Sequence, residues 1–373
     1  MRNILYIIPI ILLGCTAKPH SGIISKPADG QYAQGFTLCR NAEYTEIVIF
    51  DPWEEGRIMQ KYYLAGNTAL IPHDDGIKVK VPLHSLAATS CTHVGFLDAI
   101  GETHSLCGIC SPYLVYTPIP TVEEGCADLG DAMQVNPERV ILTHPDAVMI
   151  STYAQGDGVR QYFEKSSIPV IYNNEWTEQS PLARAEWIRL IGAFYDKQDY
   201  ADSLFREIEN EYLTLRNKVE QSVIKKRTLM AGNNFRGTWY MPSGKVYTGQ
   251  LYRDAGASYF YENDSTNGSI PLTFETVLLN FKDADVWVNS TAQSLDELRE
   301  MDDKHTWFKA YQTGEVYNFL RRSTKTGAND FWESAVVHPE RLLKDLVWTL
   351  YPELMPDYEP YYTEKLKQTL SAP

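Results

Sequence analysis

Basic residues are scarce in this chain. Its 373 residues include 34 lysines and arginines against 48 aspartates and glutamates, which gives a formal net charge of -14. A nucleic-acid-binding protein needs a basic surface to neutralise phosphates, so no nucleic-acid partner is expected. The hydrophobic fraction of 44% and the charged fraction of 22% are typical of a globular protein, and the length favours two domains.

Long apolar runs are also rare. The run from Ile4 to Leu13, which follows Arg2, is too short to span a bilayer as a mature helix and has the form of a signal peptide. It ends in LLGC, and this motif resembles a bacterial lipobox, in which the cysteine, here Cys15, is lipidated and becomes the first mature residue. An ordinary secretory peptide with a chance cysteine is the alternative, and both predict export. We expect a signal peptide over residues 1–14 and a flexible tether over 15–29.

The motifs of common catalytic sites are missing. The chain has no GxSxG, no HExxH, and no GxGxxG at a strand-to-helix turn. Its 8 histidines are scattered, whereas a bare metal ion needs three or four converging ligands. Cys107 and Cys110 form a CxxC, but there is no second CxxC and no adjacent helix start to lower a thiol pKa. We expect no enzymatic activity, no cofactor and no metal site, with an exported thiol-dependent enzyme as the alternative.

Cysteines are few, and their pairing is open. In an oxidising periplasm up to two disulfides can form among the five that follow Cys15, and the sequence does not define which. These five are Cys39, Cys91, Cys107, Cys110 and Cys126.

A long amphipathic helix is predicted near the middle of the chain, from Asp199 to Ser222. No Gly or Pro interrupts it, and Asp199 is placed to cap its first turn. At ~1.5 Å per residue it would be about 36 Å long, enough to cross a small domain. Apolar residues recur along it at helical spacing, at Ala201, Phe205, Ile208, Tyr212, Leu215 and Val219. We interpret it as a rigid rod joining two lobes; the alternative is an ordinary surface helix of a single domain.

Alternating strand and helix patterns flank this helix and predict an α/β fold with mainly parallel sheets. We expect an N-terminal lobe over residues 30–180, a helical linker over 181–223 and a C-terminal lobe over 224–373. Both lobes contain an amphipathic helix followed by an aspartate and a buried strand, and the two copies begin at Glu138 and Glu275. Ligands in such folds lie beyond the carboxyl ends of the strands. In the first lobe this rule selects Thr152, Tyr153, Asn173, Asn174 and Trp176.

Several stretches together resemble a known family, the ABC-transporter periplasmic substrate-binding lipoproteins of the ferric-siderophore, haem and cobalamin type, in a Bacteroidetes-like branch. They span roughly residues 30–352 and occur at 92–101, 136–150, 168–171, 199–222, 237–244, 271–288 and 327–333. The resemblance implies the class III fold of that family, in which one long rigid helix joins two lobes. It also implies a monomer that captures a metal chelate between the lobes and delivers it to an ABC permease with its ATPase. The protein would be anchored through Cys15 on the periplasmic face of a bacterial membrane.

Candidate ligand-binding residues follow from these patterns. Aromatic groups at strand ends and in the Gly/Pro-bracketed loop after residue 231 would cover the apolar surface of a chelate, and arginines would orient an anionic one. The candidates are Trp239, Tyr240, Met241, Arg236, Tyr153, Trp176, Arg321 and Trp332. A ferric siderophore is the leading ligand, and a corrinoid or haem is the alternative.

The resemblance also implies permease docking through one acidic residue on each lobe. The C-lobe residue corresponds to Glu275, at a predicted helix start. On the N-lobe the family pattern of Thr-Glu is replaced by Thr92-His93, and Asp98 is the candidate in its place, with Glu102 as a second.

Overall fold

The computed structural model describes residues 31–153 and 159–368. The predicted signal peptide, the lipidated Cys15 and the tether lie outside this part of the chain. The fold is mixed α/β with mainly parallel central sheets, as the sequence predicts. Within the described residues, no helix combines the length and apolarity needed to cross a bilayer.

The N-lobe, as described here up to residue 180, contains two sheets. Its strands are β1 Phe36–Arg40, β2 Thr45–Phe50, β3 Ile58–Ala65, β4 Ile77–Lys80, β5 Leu86–Ala88, β6 Leu106–Ile109, β7 Ala127–Asp128, β8 Ala147–Ile150 and β9 Val170–Tyr172. Its helices are α1 Cys91–Ala99, α2 Pro137–Leu142 and α3 Val159–Ser166. Strands β1 to β4 form a sheet in chain order, and β7-β6-β5-β8-β9 form an all-parallel sheet. The carboxyl ends of this parallel sheet therefore share one edge.

Two helices connect the lobes, α4 Pro181–Phe194 and α5 Gln198–Ser222. The predicted rod is α5, 25 residues long. Its first half contacts the N-lobe, where Asp199 pairs with Arg40 at 2.6 Å, and its second half contacts the C-lobe, where the Tyr212 hydroxyl donates to Asp254 at 2.7 Å. Asp199 does not cap the helix: Lys197 occupies the cap position without a side-chain bond. The buried residues of α5 are the predicted ones, Ala201, Phe205, Ile208, Tyr212, Leu215 and Val219.

The C-lobe, from residue 224, is built on a smaller parallel sheet. Its strands are β10 Thr228–Ala231, β11 Asn234–Phe235, β12 Thr238–Pro242, β13 Ser258–Tyr259, β14 Ser269–Leu272, β15 Val286–Val288, β16 Tyr317–Asn318 and β17 Glu364–Lys365. Its helices are α6 Tyr247–Asp254, α7 Phe274–Phe281, α8 Leu295–Met301, α9 Lys309–Gln312, α10 Asp330–Ser334 and α11 Pro339–Leu350. The parallel sheet has the order β13-β10-β15, and an antiparallel sheet β11-β12-β14 accompanies it.

The two lobes repeat one structural unit. Asp146, before β8, accepts the backbone N–H of Ser85 at 3.0 Å, and the Ser85 hydroxyl accepts the N–H of Asp146 in return. Asp285, before β15, makes the same pair of bonds with Thr228, each at 2.9 Å. Both units contain, in the same chain order, a helix, an aspartate and a buried parallel strand. The sequence repeat therefore reflects equivalent positions in the two lobes.

The stretch after β10, expected to be a loop, is instead a β-hairpin. Phe235 pairs with Thr238 across a two-residue turn in which Arg236 has φ 52° and Gly237 has φ 89°. Positive φ at both central residues defines the turn that matches the twist of paired strands. Because alternate residues of a strand face opposite sides, Trp239 points inward and Tyr240 points outward.

Candidate ligand-binding cleft

The N-lobe wall of the cleft forms where β8 and β9 end. The hydroxyl and backbone N–H of Thr152 both donate to the side-chain oxygen of Asn174, at 2.9 and 3.0 Å. These bonds tie the two loops together just before their aromatic residues. Tyr153 and Trp176 then stack with ring centroids 5.7 Å apart, and both side chains remain exposed. The wall is a preformed aromatic surface on the rim selected by the strand-end rule.

A buried polar chain lies behind this wall. The Ser151 hydroxyl donates to the carbonyl of Asn173 at 3.0 Å, and Nε2 of His93 lies 3.1 Å from the same hydroxyl oxygen. Because the serine proton is already used, Nε2–H of His93 is the donor in that contact. Burial lowers the pKa of His93 to about 3, so the ring is neutral. His93 is thus an N-lobe core residue that holds α1 against β8.

The C-lobe wall contains a pocket with an empty volume of about 710 Å³, counting space open to solvent. Tyr240 and Trp332 are 52% and 56% exposed, and Phe331 stacks on Phe319 at 4.6 Å. Such an aromatic lining suits contact with the apolar surface of a ligand. The lining residues are Ala231, Gly232, Tyr240, Pro242, Tyr247, Thr248, Leu251, Tyr252, Ser269, Asn289, Phe319, Phe331, Trp332, Leu342 and Leu346.

An ion pair links the two walls. Arg184, in the first turns of α4, contacts Glu175 at 2.6 Å, and its guanidinium lies 4.1 Å from the ring centre of Tyr247. Tyr247 begins α6 and lines the pocket, so this contact crosses from the N-lobe side to the C-lobe. Charge pairing and cation–π attraction stabilise this link.

The lobes also touch directly where α1 meets α10. The buried carboxylate of Glu333 accepts the backbone N–H groups of Tyr116 and Thr117 at 2.8 and 3.0 Å. Burial raises the pKa of Glu333 above its ordinary value, while the two N–H donors oppose that shift. Beside it, the Cys91 thiol donates to the carbonyl of Trp332 at 3.9 Å. These bonds tie Trp332 and Glu333 of the C-lobe to the N-lobe.

Trp239 and Met241 have different surroundings from those expected. Both are 0% exposed, and the indole N–H of Trp239 donates to the carbonyl of Ala231 at 2.8 Å. Trp239 packs against Trp287 and Phe308 in an aromatic cluster of the C-lobe. The hairpin turns these two side chains into the core, so they do not face the cleft.

The arginines expected to orient an anionic ligand are also placed differently. Arg321 pairs with Glu359, and Arg236 lies at the exposed hairpin tip with its guanidinium 5.2 Å from the Phe235 ring centre. Neither is among the residues that line the pocket. The structure therefore does not bring these two charges together with Tyr240 and Trp332.

Sequence reasoning missed several lining residues, above all Tyr247, Asn289 and Phe319. Asn289 directly follows β15, so the strand-end rule applied to the C-lobe would have found it. Tyr247 and Phe319 have no local signal, because they reach the pocket only through the packing of α6 and of the loop after β16.

The candidate docking carboxylates lie outside the cleft. Glu275 is exposed in the first turn of α7, where its own backbone N–H and the Thr273 hydroxyl hold its pKa below the ordinary value. Asp98 is in the last turn of α1, at a separate cavity shared with Arg322 and Arg341. The other candidate, Glu102, is ion-paired with Lys197.

Thiol and metal chemistry find little support in the described residues. The five cysteines there are free thiols, and burial raises the pKa of Cys110 to about 12 and also raises that of Cys107. A reactive thiol needs the opposite shift. Across residues 31–153 and 159–368, no three His, Cys, Asp or Glu side chains cluster in a way that could hold a metal ion.

Two α/β lobes, a connecting helix and an aromatic cleft define a two-lobed binding protein. A family model described as periplasmic binding protein matches residues 86–319, more than half of the chain. The chain belongs to the periplasmic binding protein family, and this family consists of solute-binding proteins that are not enzymes.

Relatives and solved structures agree with this membership. Two uncharacterised lipoproteins of Methanocaldococcus jannaschii are 26% and 21% identical to the chain, and the matches cover 75% and 91% of it and 68% and 90% of the relatives. An ABC transporter solute-binding protein from Sulfurospirillum deleyianum matches 75% of this chain and 87% of its own, with a TM-score of 0.56 and 16% identity. Staphylococcus aureus IsdE complexed with haem matches 72% and 99%, with a TM-score of 0.53 and 17% identity. At these identities the solved structures establish the fold.

Proposed function

We propose that this protein captures a bulky metal chelate, a ferric siderophore or related iron complex, in the inter-lobe cleft and delivers it to an ABC permease. The observations that support the proposal are the aromatic pocket of the C-lobe and the exposed Tyr153–Trp176 stack at the strand ends of the N-lobe. Aromatic rings can cover the apolar periphery of a chelate without chemical change. Family membership supports solute binding as the role.

The ligand classes are separated by titration. S. aureus IsdE was solved with haem, and a structural neighbour from Saccharomonospora viridis belongs to a Fe3+-hydroxamate transport system. Ferric siderophores, haem and a corrinoid are therefore titrated in parallel while intrinsic tryptophan fluorescence is recorded. We expect saturable quenching by at least one chelate with micromolar affinity or better. A flat signal with all of them, confirmed by calorimetry, contradicts the proposal.

A control variant distinguishes the cleft from other surfaces. Trp332→Ala removes an exposed ring of the pocket, whereas Trp53→Ala removes an exposed ring between β2 and β3, away from the cleft. Chelate affinity should fall about tenfold in the first variant and stay unchanged in the second.

We propose that permease docking uses Glu275 together with Glu138, in place of Asp98. Each glutamate is the second residue of its helix, α7 or α2, and each is exposed. Each helix is followed by the aspartate-and-strand unit that the two lobes share. Equivalent positions in the two halves suit a permease whose own halves present matching cations, whereas Asp98 has no counterpart in this repeat.

The membrane anchor is part of the same proposal. Relatives of this chain are lipoproteins, and Cys15 ends a lipobox-like motif. We propose lipidation at Cys15 and a location on the periplasmic face of a bacterial membrane. Full-length protein should fractionate with membranes and carry a lipid-modified N-terminal cysteine by mass spectrometry. Cys15→Ser should abolish the modification, and a membrane-bound, modified variant would contradict the assignment.

A further inference from the structure

The pocket in the C-lobe wall contains no charged side chain. No Lys, Arg, Asp, Glu or His is present among the described residues that line it. The lining side chains that carry a polar atom are all neutral, and the others are aliphatic or aromatic. The neutral polar ones are Tyr240, Tyr247, Thr248, Tyr252, Ser269, Asn289 and Trp332. Such a lining offers apolar contact and a few neutral hydrogen bonds. It contributes no opposite charge to an ion that enters it.

Three arginines near the cleft are paired with carboxylates. Arg184, which links the two walls, contacts Glu175 at 2.6 Å, and the side chains are only 12% and 2% exposed. At the lobe junction Arg322 pairs with Asp330 at 2.5 Å. Arg321, the preceding residue, pairs with Glu359. A ligand anion would therefore compete with a bonded carboxylate for each of these guanidinium groups.

Moving a polyanion into an uncharged, partly buried pocket costs desolvation free energy. No ion pair within the pocket offsets that cost. The whole chain carries a formal charge of -14, and its long-range field further disfavours the approach of an anion. An electrically neutral chelate loses little hydration and keeps the full benefit of aromatic contact.

We infer that the cleft selects an electroneutral metal chelate and discriminates against polyanionic ones. This inference rests on the proposed function, since it assigns the ligand class of the same site. It replaces the expectation that arginines grip an anionic ligand. The matching chemistry is an iron complex in which the charges of metal and donor groups cancel, enclosed by an apolar periphery.

The test uses two ferric chelates of similar size on the mature full-length chain. An uncharged ferric tris-hydroxamate and a trianionic ferric tris-catecholate are titrated at physiological ionic strength and at low salt. The neutral complex should bind at least about tenfold more tightly, and its affinity should change little with salt. Equal or tighter binding of the trianion overturns the inference while the proposed function stands. If neither complex, haem nor a corrinoid binds, the proposed function itself fails and the inference fails with it.

A matched pair of variants isolates the effect of charge. Tyr240→Arg places a cation in the pocket wall, and Tyr240→Gln removes the same ring without adding charge. Relative to the Gln variant, the Arg variant should gain affinity for the trianion by about tenfold and should show steeper salt dependence. Circular dichroism establishes that both variants fold. If the ratio of the affinities for the neutral and the trianionic complex is the same in both variants, charge in this wall does not set the preference for the neutral complex.

Discussion

A Cβ atom placed on Gly95 would lie 2.1 Å from the carbonyl oxygen of Glu333. Gly95 is on α1 of the N-lobe and Glu333 is on α10 of the C-lobe, so the missing side chain sets how closely the lobes approach. At this point the backbone of one lobe rests on the backbone of the other. Neither residue can move aside by a change of rotamer.

Gly95→Ala should therefore separate the lobes or destabilise the protein. Because the clash is with main chain, we expect a loss of about 2 kcal/mol or more in unfolding free energy, or weaker chelate binding with a larger radius of gyration. Urea unfolding and small-angle X-ray scattering measure these effects. Gly66→Ala is the control, since the nearest atom to its Cβ is 3.9 Å away. Wild-type stability, shape and affinity in the Gly95 variant would refute this account of the junction.

Replacing His93 should change how stability depends on pH. Its pKa is about 3 in the folded protein against an ordinary 6.5, because burial disfavours the imidazolium. Between these values the unfolded chain binds the additional proton, so wild-type stability falls as the pH is lowered from 6.5 towards 3. At about 1.4 kcal/mol per pKa unit, the total is on the order of 5 kcal/mol.

His93→Gln should remove this contribution, so that the stability of wild type relative to the variant declines with falling pH. Chemical denaturation at a series of pH values measures the difference. His84→Gln, at an exposed side chain, controls for the general effect of replacing a histidine. If the stability of wild type relative to His93→Gln instead rises as the pH falls, His93 is not a buried neutral ring.

Trp239 and Trp332 should separate stability from binding. Trp239→Ala removes a fully buried ring and should cost about 3–5 kcal/mol of unfolding free energy. Trp332→Ala removes a ring that is 56% exposed and should cost about 1 kcal/mol or less, while it weakens chelate binding about tenfold. Thermal unfolding and fluorescence titration give the two readouts. The opposite pattern, with Trp239 neutral to folding and Trp332 neutral to binding, would exchange their assigned roles.

Charge reversal at the two helix starts should uncouple binding from transport. Glu138→Arg and Glu275→Arg lie at exposed positions, so chelate affinity should match that of wild type. Uptake of labelled iron chelate by cells that carry the matching permease should fall about tenfold or more, because like charges would then meet at the docking surface. Asp98→Arg serves as the comparison. Normal uptake in both glutamate variants, or a loss confined to the Asp98 variant, would rule out the proposed pair.

Much of the secondary structure follows from local pattern. The helix, aspartate and buried strand expected in each lobe are present as α2, Asp146 and β8 and as α7, Asp285 and β15. The hairpin after β10 was not predicted. A local signal for the turn was present, since Gly237 readily adopts the positive φ that a two-residue hairpin turn requires. The Gly/Pro brackets favoured a loop, and the prediction that Trp239 faces the ligand followed from that interpretation.

The sequence by itself determined the long helix, its buried stripe and the two-lobe α/β plan, because helix periodicity and buried strand runs are properties of neighbouring residues. Only the tertiary structure decided which aromatic rings are exposed at the cleft and which arginines are paired with carboxylates. Arg321 pairs with Glu359, which is 38 positions away in the chain, and Arg322 of the C-lobe lies beside Tyr116 of the N-lobe. Exposure and charge pairing depend on such distant partners, and no local pattern in the chain encodes them.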